Sequence, residues 1–284
     1  MKQDITAHSI ANTIRMTRSL HEGAFLIVEG DTDARLYKRF VNEADCKVIP
    51  AHDKDKALEV LEILEKGSFE GFLVIVDADF WHLEGIKPGS VNLFLTDSHD
   101  LETMILCTPG VLEKILDEYG STNKIKRLKK SVRDMLLQNA LPIGFLRWLA
   151  SPSKGNLSLV FRDLCFENFV DRTGFKVNID KMIDEVKNNS GEIEIDRKSI
   201  KSRIKSLKKE KHDPWQVCCG HDMVKLLAIG FRFVFGNKNA KNLIDAMEGI
   251  VRLAYEFNDF SLTGLYRSME KWEKANPTYK VLKT

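Results

Sequence analysis

Two aspartates one residue apart, Asp77 and Asp79, close the apolar run Phe72-Leu-Val-Ile-Val76. A run this rich in β-branched residues reads as a strand buried on both faces of a parallel sheet. Side chains two apart on a strand project the same way, with their backbones roughly 6.6 Å apart. Carboxylates so placed repel each other, and a divalent cation that prefers hard oxygen ligands, magnesium first, relieves the repulsion. The plainer alternative is a strand end whose acid caps the next helix. A second apolar run, Ala24-Phe-Leu-Ile-Val28, also ends on an acid, Glu29, and continues Gly-Asp-Thr-Asp33. Open α/β sheets collect ligands at the carboxyl ends of their strands. Glu29, Asp77 and Asp79 are therefore expected at one rim, with Asp97, Asp100 or Glu102 as further candidates.

The elements that must position these acids follow from the pattern of the chain. Residues 1–20 read as a short helix with Ile10, Ile14 and Leu20 at helical spacing. Gly30 permits a tight turn, and Asp31 or Thr32 can cap a helix over 34–42, whose N-terminal dipole favours the ionised Glu29. A short strand is expected over 46–51. An amphipathic helix over 53–66 follows, with Ala57, Val60, Leu61 and Leu64 on one face. A fourth strand over 91–97 leads into a helix opening at His99-Asp-Leu-Glu102. This rhythm predicts an α/β fold with a parallel sheet flanked by helices. The expected organisation is an N-terminal helix (1–20), the α/β domain (21–107), a large basic helical insert (108–214) broken at Asn188-Asn-Ser-Gly191, and a C-terminal helical region (215–284) returning to the α/β core. Within the last, 215–222 reads as strand and turn, 223–235 as an apolar helix, and 238–258 and 262–275 as further helices.

Composition narrows the class. The 284 residues can hold one large domain or two ordinary ones. No run of about 18 apolar residues is present to span a bilayer, and the N-terminus does not resemble a signal peptide. Five cysteines without a Cys-x-x-Cys pair argue for reduced, buried thiols rather than disulfides or zinc, and for the cytoplasm. Neither a Walker A loop nor a Gly-x-Gly-x-x-Gly fingerprint occurs.

The net charge of +2 conceals an asymmetry. Residues 29–102 hold seventeen acids against eight Lys plus Arg, while 124–133 and 197–211 carry six and eight bases with one acid, Glu210. An acidic site beside basic helices suits a protein that holds metal in one place and a phosphate backbone in another, although solvated helix faces or an acidic protein partner would also explain them. Lys124, Arg127 and Lys130 in the first run, and Arg197, Lys201, Lys205 and Lys208 on one face of the second, are the candidate phosphate contacts. Trp148 and Trp215 can stack on bases or fill a core, and core packing is the commoner use.

Val28-Glu-Gly-Asp-Thr-Asp33 at a first strand's end, with Asp77-Ala-Asp79 at a later one, resembles the Toprim domain of topoisomerases, primases and OLD-like nucleases over about residues 24–107. More loosely, Thr96-Asp-Ser-His-Asp-Leu-Glu102 and Cys219-Gly-His-Asp222 resemble the stand-alone effector nucleases of PARIS phage-defence systems. The resemblance implies a magnesium-dependent endonuclease, with manganese as a substitute. It further implies control by an ABC-type ATPase partner and action as a homodimer on nucleic acid, transfer RNA in particular. Carried over by position, it makes Glu29 a general base or acid and metal ligand, and Asp77 and Asp79 the magnesium-holding pair. Asp33 would orient the loop and cap its helix. Glu102 would complete the metal shell or serve its helix dipole. His221 and Lys225 would reach the scissile phosphate, although Asp222 as a helix cap and Lys225 as a plain surface lysine explain that segment too. His99 would act in the site or simply be satisfied beside a helix start.

The rival functions are distinguishable. A haloacid-dehalogenase-type phosphatase also uses an Asp-x-Asp strand end, but Phe80 and Trp81 stand where a small hydroxyl residue is expected, and Glu29 has no task there. A non-catalytic Toprim scaffold binding a partner protein gains nothing from clustered acids. A primase would need a nucleotide-binding signature that the basic insert lacks.

Overall fold

In the computed structural model, which describes residues 5–191 and 196–283, the acids are mounted on four parallel strands. These are β1 (Ala24–Val28), β2 (Cys46–Pro50), β3 (Phe72–Val76) and β4 (Leu93–Leu95), in the order β2-β1-β3-β4. All five residues of β1 and of β3 are buried, as the unbroken apolar runs require for strands covered on both faces. Their register pairs Val28 with Ile75, so both chains leave the sheet at the same edge. The fold is α/β, and the sheet is flanked by helices.

The chain groups into two compact units, each drawn from separate stretches of sequence. The first comprises Met1–Ala78, Ile86–Asp97 and Glu256–Thr284. Its helices are α1 (Ala7–Arg18), α2 (Asp31–Tyr37), α3 (Lys54–Lys66), α14 (Phe257–Ser261) and α15 (Gly264–Ala275). Ile10 and Ile14 are buried on α1, but Leu20 lies beyond its end and is 88% exposed. The expected apolar face of α3 is the buried one, and Asp53 caps it by accepting the Lys56 N–H at 2.7 Å. For α2 the expected cap is corrected. Gly30 is the N-cap, and Asp33, rather than Asp31 or Thr32, closes the turn by accepting the Gly30 N–H at 2.9 Å. The last two helices pack within this unit: Phe260 stacks on Phe40, and Trp272 Nε1 donates to Asn92.

The second unit comprises Asp79–Gly85 and Ser98–Tyr255. It is helical: α4 (Trp81–Glu84), α5 (Leu101–Cys107), α6 (Val111–Tyr119), α7 (Thr122–Ile125), α8 (Val132–Ala150), α9 (Ile179–Asn189), α10 (Arg197–Lys209), α11 (Pro214–Val217), α12 (Gly220–Gly230) and α13 (Met247–Ala254). A two-stranded antiparallel hairpin, β5 (Val170–Asp171) with β6 (Lys176–Val177), interrupts the helices and has no counterpart in the sequence expectation. Where strand and turn are expected over 215–222, α11 runs to Val217 and α12 starts at Gly220, with Cys218 and Cys219 between them. Asp213 caps Pro214 at the first turn of α11, a start signal that outweighs the β-propensity of Trp215 and Val217. The apolar helix ends at Gly230 and gives way to a π-helical turn over Phe231–Phe235. Among the described residues no helix is long and apolar enough to cross a membrane.

Candidate metal centre

From β1 the chain passes out to β2, then returns through α3 across β1 to pair β3 on the other side. Strand order therefore reverses between β1 and β3, the crevice where open α/β sheets bind ligands. Glu29 follows β1 and Asp77 follows β3 at that point. The Asp77 N–H donates to Glu29 Oε1 at 2.7 Å, fixing the glutamate against the adjoining strand end. Beside them the Ala78 N–H donates to Thr96 Oγ1 at 2.9 Å, and the Thr96 N–H donates to the Val76 carbonyl. The Lys54 ammonium, from the first turn of α3, donates to the Asp77 carbonyl. Glu29, Asp77 and Lys54 are all half-buried.

The donor set fits a hard divalent cation. Glu29 and Asp77 supply only carboxylate oxygens, with neither thiol nor imidazole to favour zinc. A half-buried carboxylate also gains more from a cation than a solvated one does. Asp79, two residues on, begins the second unit, where its N–H donates to the His99 carbonyl at 2.6 Å. Its φ of 48° is left-handed, a conformation that aspartate tolerates better than most side chains and that marks the residue as constrained.

The remaining expected acids have structural partners. Asp97 accepts the Gly264 N–H, at the start of α15. In the second unit Asp100 serves two helix ends at once: Oδ1 accepts Thr103 N–H at 2.8 Å and Oδ2 accepts Gly220 N–H at 2.6 Å. Glu102 is buried and pairs with Arg252 at 2.6 Å; Arg252 also reaches Glu248, and Glu248 pairs with His221 at 2.9 Å. His221 is held protonated to about 9 by its bond to Glu248, against the opposing effect of burial, with Glu102 and Asp100 assisting. Glu248 is correspondingly lowered to about 2 by His221 and Arg252. Asp222 is not a cap. It is buried in a bidentate pair with Arg147, at 2.7 and 2.8 Å, while Cys219 occupies the N-cap position of α12. Lys225 lies over the Phe166 ring at 5.3 Å.

His99, Asp100 and Cys219 bring ligand atoms within 4.8 Å of one another, a second geometric candidate for metal. Its chemistry fits poorly. Both Asp100 oxygens are committed to backbone N–H groups, and burial keeps the Cys219 thiol protonated. Thiols divide in the same way: Cys46, Cys218 and Cys219 are buried, Cys107 and Cys165 exposed. The expectation of buried cysteines thus holds for three.

The basic residues also separate. Arg197 pairs with Asp184, Lys201 with Asp180 at 2.7 Å, and Lys124 donates to the Gly236 carbonyl. Lys130 donates to Gln138 Oε1 at 2.8 Å, while Arg127, Lys205 and Lys208 are exposed. Trp148 is core: it is 1% exposed, stacks on Phe80 and donates Nε1–H to Glu84. Trp215 is half-buried with Arg133 over its ring. Lys54 is the rim residue that sequence reasoning missed, and Thr96 entered it only as part of a motif, without its bond to Ala78. Lys54 follows a capping Asp53 and belongs to no motif, so only the fold exposes its proximity to Asp77. No protein-family model matches the chain, and neither does any curated protein.

Proposed function

We propose that the chain is a magnesium-dependent Toprim-type endonuclease whose metal is held by Glu29 and Asp77, with Asp79 as the third ligand. The supporting observation is the hydrogen bond from Asp77 N–H to Glu29 Oε1 at the point where strand order reverses. Asp79 is included through the resemblance alone, as the second acid of the Asp-x-Asp run. Magnesium, when bound, supplies neutralisation of the charge that builds on phosphate oxygens during hydrolysis. The protein's own part is to hold the carboxylates in register, and to let Glu29 take a proton from the attacking water. Lys54 places a cation beside Asp77, where it offsets the acids before substrate arrives and can receive a phosphate oxygen afterwards. Glu102, His221 and Lys225 enter as supporting residues through the resemblance alone; their ion pairs and ring contact already give each a place in the second unit. On the same footing the substrate is nucleic acid, transfer RNA foremost, and the setting is a cytoplasmic defence system in which a partner ATPase restrains the nuclease until it is released as a dimer.

Glu29→Gln separates chemistry from folding. The amide oxygen still accepts the Asp77 N–H, while the proton-accepting charge is lost. Purified wild type incubated with transfer RNA or plasmid in magnesium is expected to cleave one of them, chelation to stop cleavage, and Glu29→Gln to lower the rate by about a hundredfold or more with an unchanged melting temperature. Cleavage at the wild-type rate by Glu29→Gln would refute the assignment.

A further inference from the structure

A cavity of about 860 Å³ in the second unit carries three of the candidate phosphate contacts, Arg127, Lys130 and Lys208, and takes no residue from the candidate metal centre. That volume lies within the roughly 300–1,000 Å³ typical of small-molecule sites. Arg127, Lys129 and Lys130 line it from the loop between α7 and α8, Lys176 from β6 and Lys208 from α10. All five are exposed, so they form a rim, and among the described residues no acid lines the cavity. The contrast with the rest of α10 is informative. Arg197 and Lys201 are each answered by an acid of α9, whereas no described acid pairs with the rim cations. Like charges gathered without counter-charges cost free energy unless an anion joins them.

The floor has a different character. Phe145, Phe175, Val177 and Ile204 are buried there, beside Pro142. Pro142 lies inside α8 and has no N–H for the carbonyl of Gln138 one turn earlier, and both residues line the cavity. Phe175 has a φ of 45°, uncommon for a bulky side chain. Asn139 holds it there: its Nδ2 donates to the Phe175 carbonyl at 2.9 Å, and its Oδ1 accepts the Val177 N–H at 2.8 Å. Constrained backbone maintained by a buried polar clamp is characteristic of ligand-binding walls.

A fatty carboxylate would need one cation rather than five, and inorganic phosphate would need no apolar floor. A half-buried apolar lining of Leu128, Met135, Leu141, Pro142 and Ile179 beneath a polycationic rim matches a flat, weakly polar base joined to phosphate. We propose that this cavity binds a nucleoside phosphate, its base on Met135, Leu141 and Pro142 and its phosphate on the rim. The same chemistry is presented by an unstacked residue of a single-stranded substrate and by a free nucleotide acting as an effector. The assignment does not depend on the metal centre.

The test uses the full chain in EDTA, with fluorescence anisotropy of a labelled single-stranded RNA ten-mer and of a fluorescent ATP analogue. At least one probe is expected to bind and to be displaced by unlabelled ATP but not by palmitate. Arg127→Glu with Lys208→Glu should weaken that binding by about tenfold or more through lost phosphate contacts. Met135→Trp, which fills the floor without changing charge, should weaken it by about tenfold as well, with Leu141→Trp as the second floor variant if the first melts early. Binding of the ten-mer alone assigns the cavity to a polynucleotide; binding of the ATP analogue, to a free nucleotide. The proposal is overturned if neither probe binds, if palmitate alone displaces, or if charge reversal weakens binding while properly folded floor variants do not. Because EDTA prevents metal-dependent cleavage throughout, these outcomes stand whether or not Glu29 proves catalytic.

Discussion

Asp100 and Asp222 illustrate how residues with catalytic potential can be taken up by architecture. Asp100 accepts a first-turn N–H from each of two helices, and Asp222 neutralises Arg147, whose charge is retained despite burial because that carboxylate faces it. Removing either partner of a buried pair leaves the other uncompensated, which is why such residues are costly to replace. His221 and Glu248 make a softer, half-exposed pair with a defined pH signature. The folded pKa of His221, about 9, lies above its ordinary 6.5, so its contribution is complete below 6.5 and disappears as pH rises through 9. The folded pKa of Glu248, about 2, lies below its ordinary 4.5, so its contribution is complete above 4.5 and disappears as pH falls through 2. Exposure limits the pair to under about 1 kcal/mol. Melting curves of wild type and His221→Gln should differ at pH 6 and converge by pH 9.5; a gap that widens with pH would contradict the pairing. The charges of this pair were legible in the sequence, but their union was not, since 27 positions separate them.

At the scale of elements, legibility followed length and burial. The strands β1 and β3 announce themselves as unbroken apolar runs because both of their faces are covered. The helix α3 does so through a cap and a four-residue apolar face. The hairpin β5–β6 has two residues per strand, too few for any alternation to register; Asp171 holds its turn by accepting the Thr173 and Gly174 N–H groups, and Asn139 on α8 clamps its second strand. Asn139 is 6% exposed and also donates to the Met135 carbonyl at 2.8 Å. Asn139→Ala should therefore cost about 2 kcal/mol in chemical denaturation, since it strands a buried N–H and a buried carbonyl. A loss below about 0.5 kcal/mol would show that the hairpin is held by other contacts. The helix α12 teaches a related lesson. A Cβ on Gly220 would lie 2.3 Å from Asp100 Oδ1 and 2.7 Å from the Thr103 N, so the Cys-Gly-His-Asp segment owes its glycine to close approach with α5.

At the scale of the molecule, the acidic first half and basic middle were legible as composition, and the rim of acids followed from where strands end. The division into units was not legible. Each is assembled from segments far apart in the chain, joined by contacts such as Trp272 to Asn92 that no local pattern encodes. Lys54 escaped notice for the same reason. The candidate centre was half-visible: its acids stand out as strand-end carboxylates, while the bond that locks Glu29 to Asp77 appears only once β1 and β3 are paired. The most direct measurement is calorimetric titration of magnesium into wild type, Glu29→Gln and Asp77→Asn, each checked for an unchanged melting curve. Saturable binding by wild type, weakened about tenfold or more in both variants, is the predicted result. Absence of wild-type binding, or equal affinity in all three proteins, would contradict a metal centre at the carboxyl edge of the sheet.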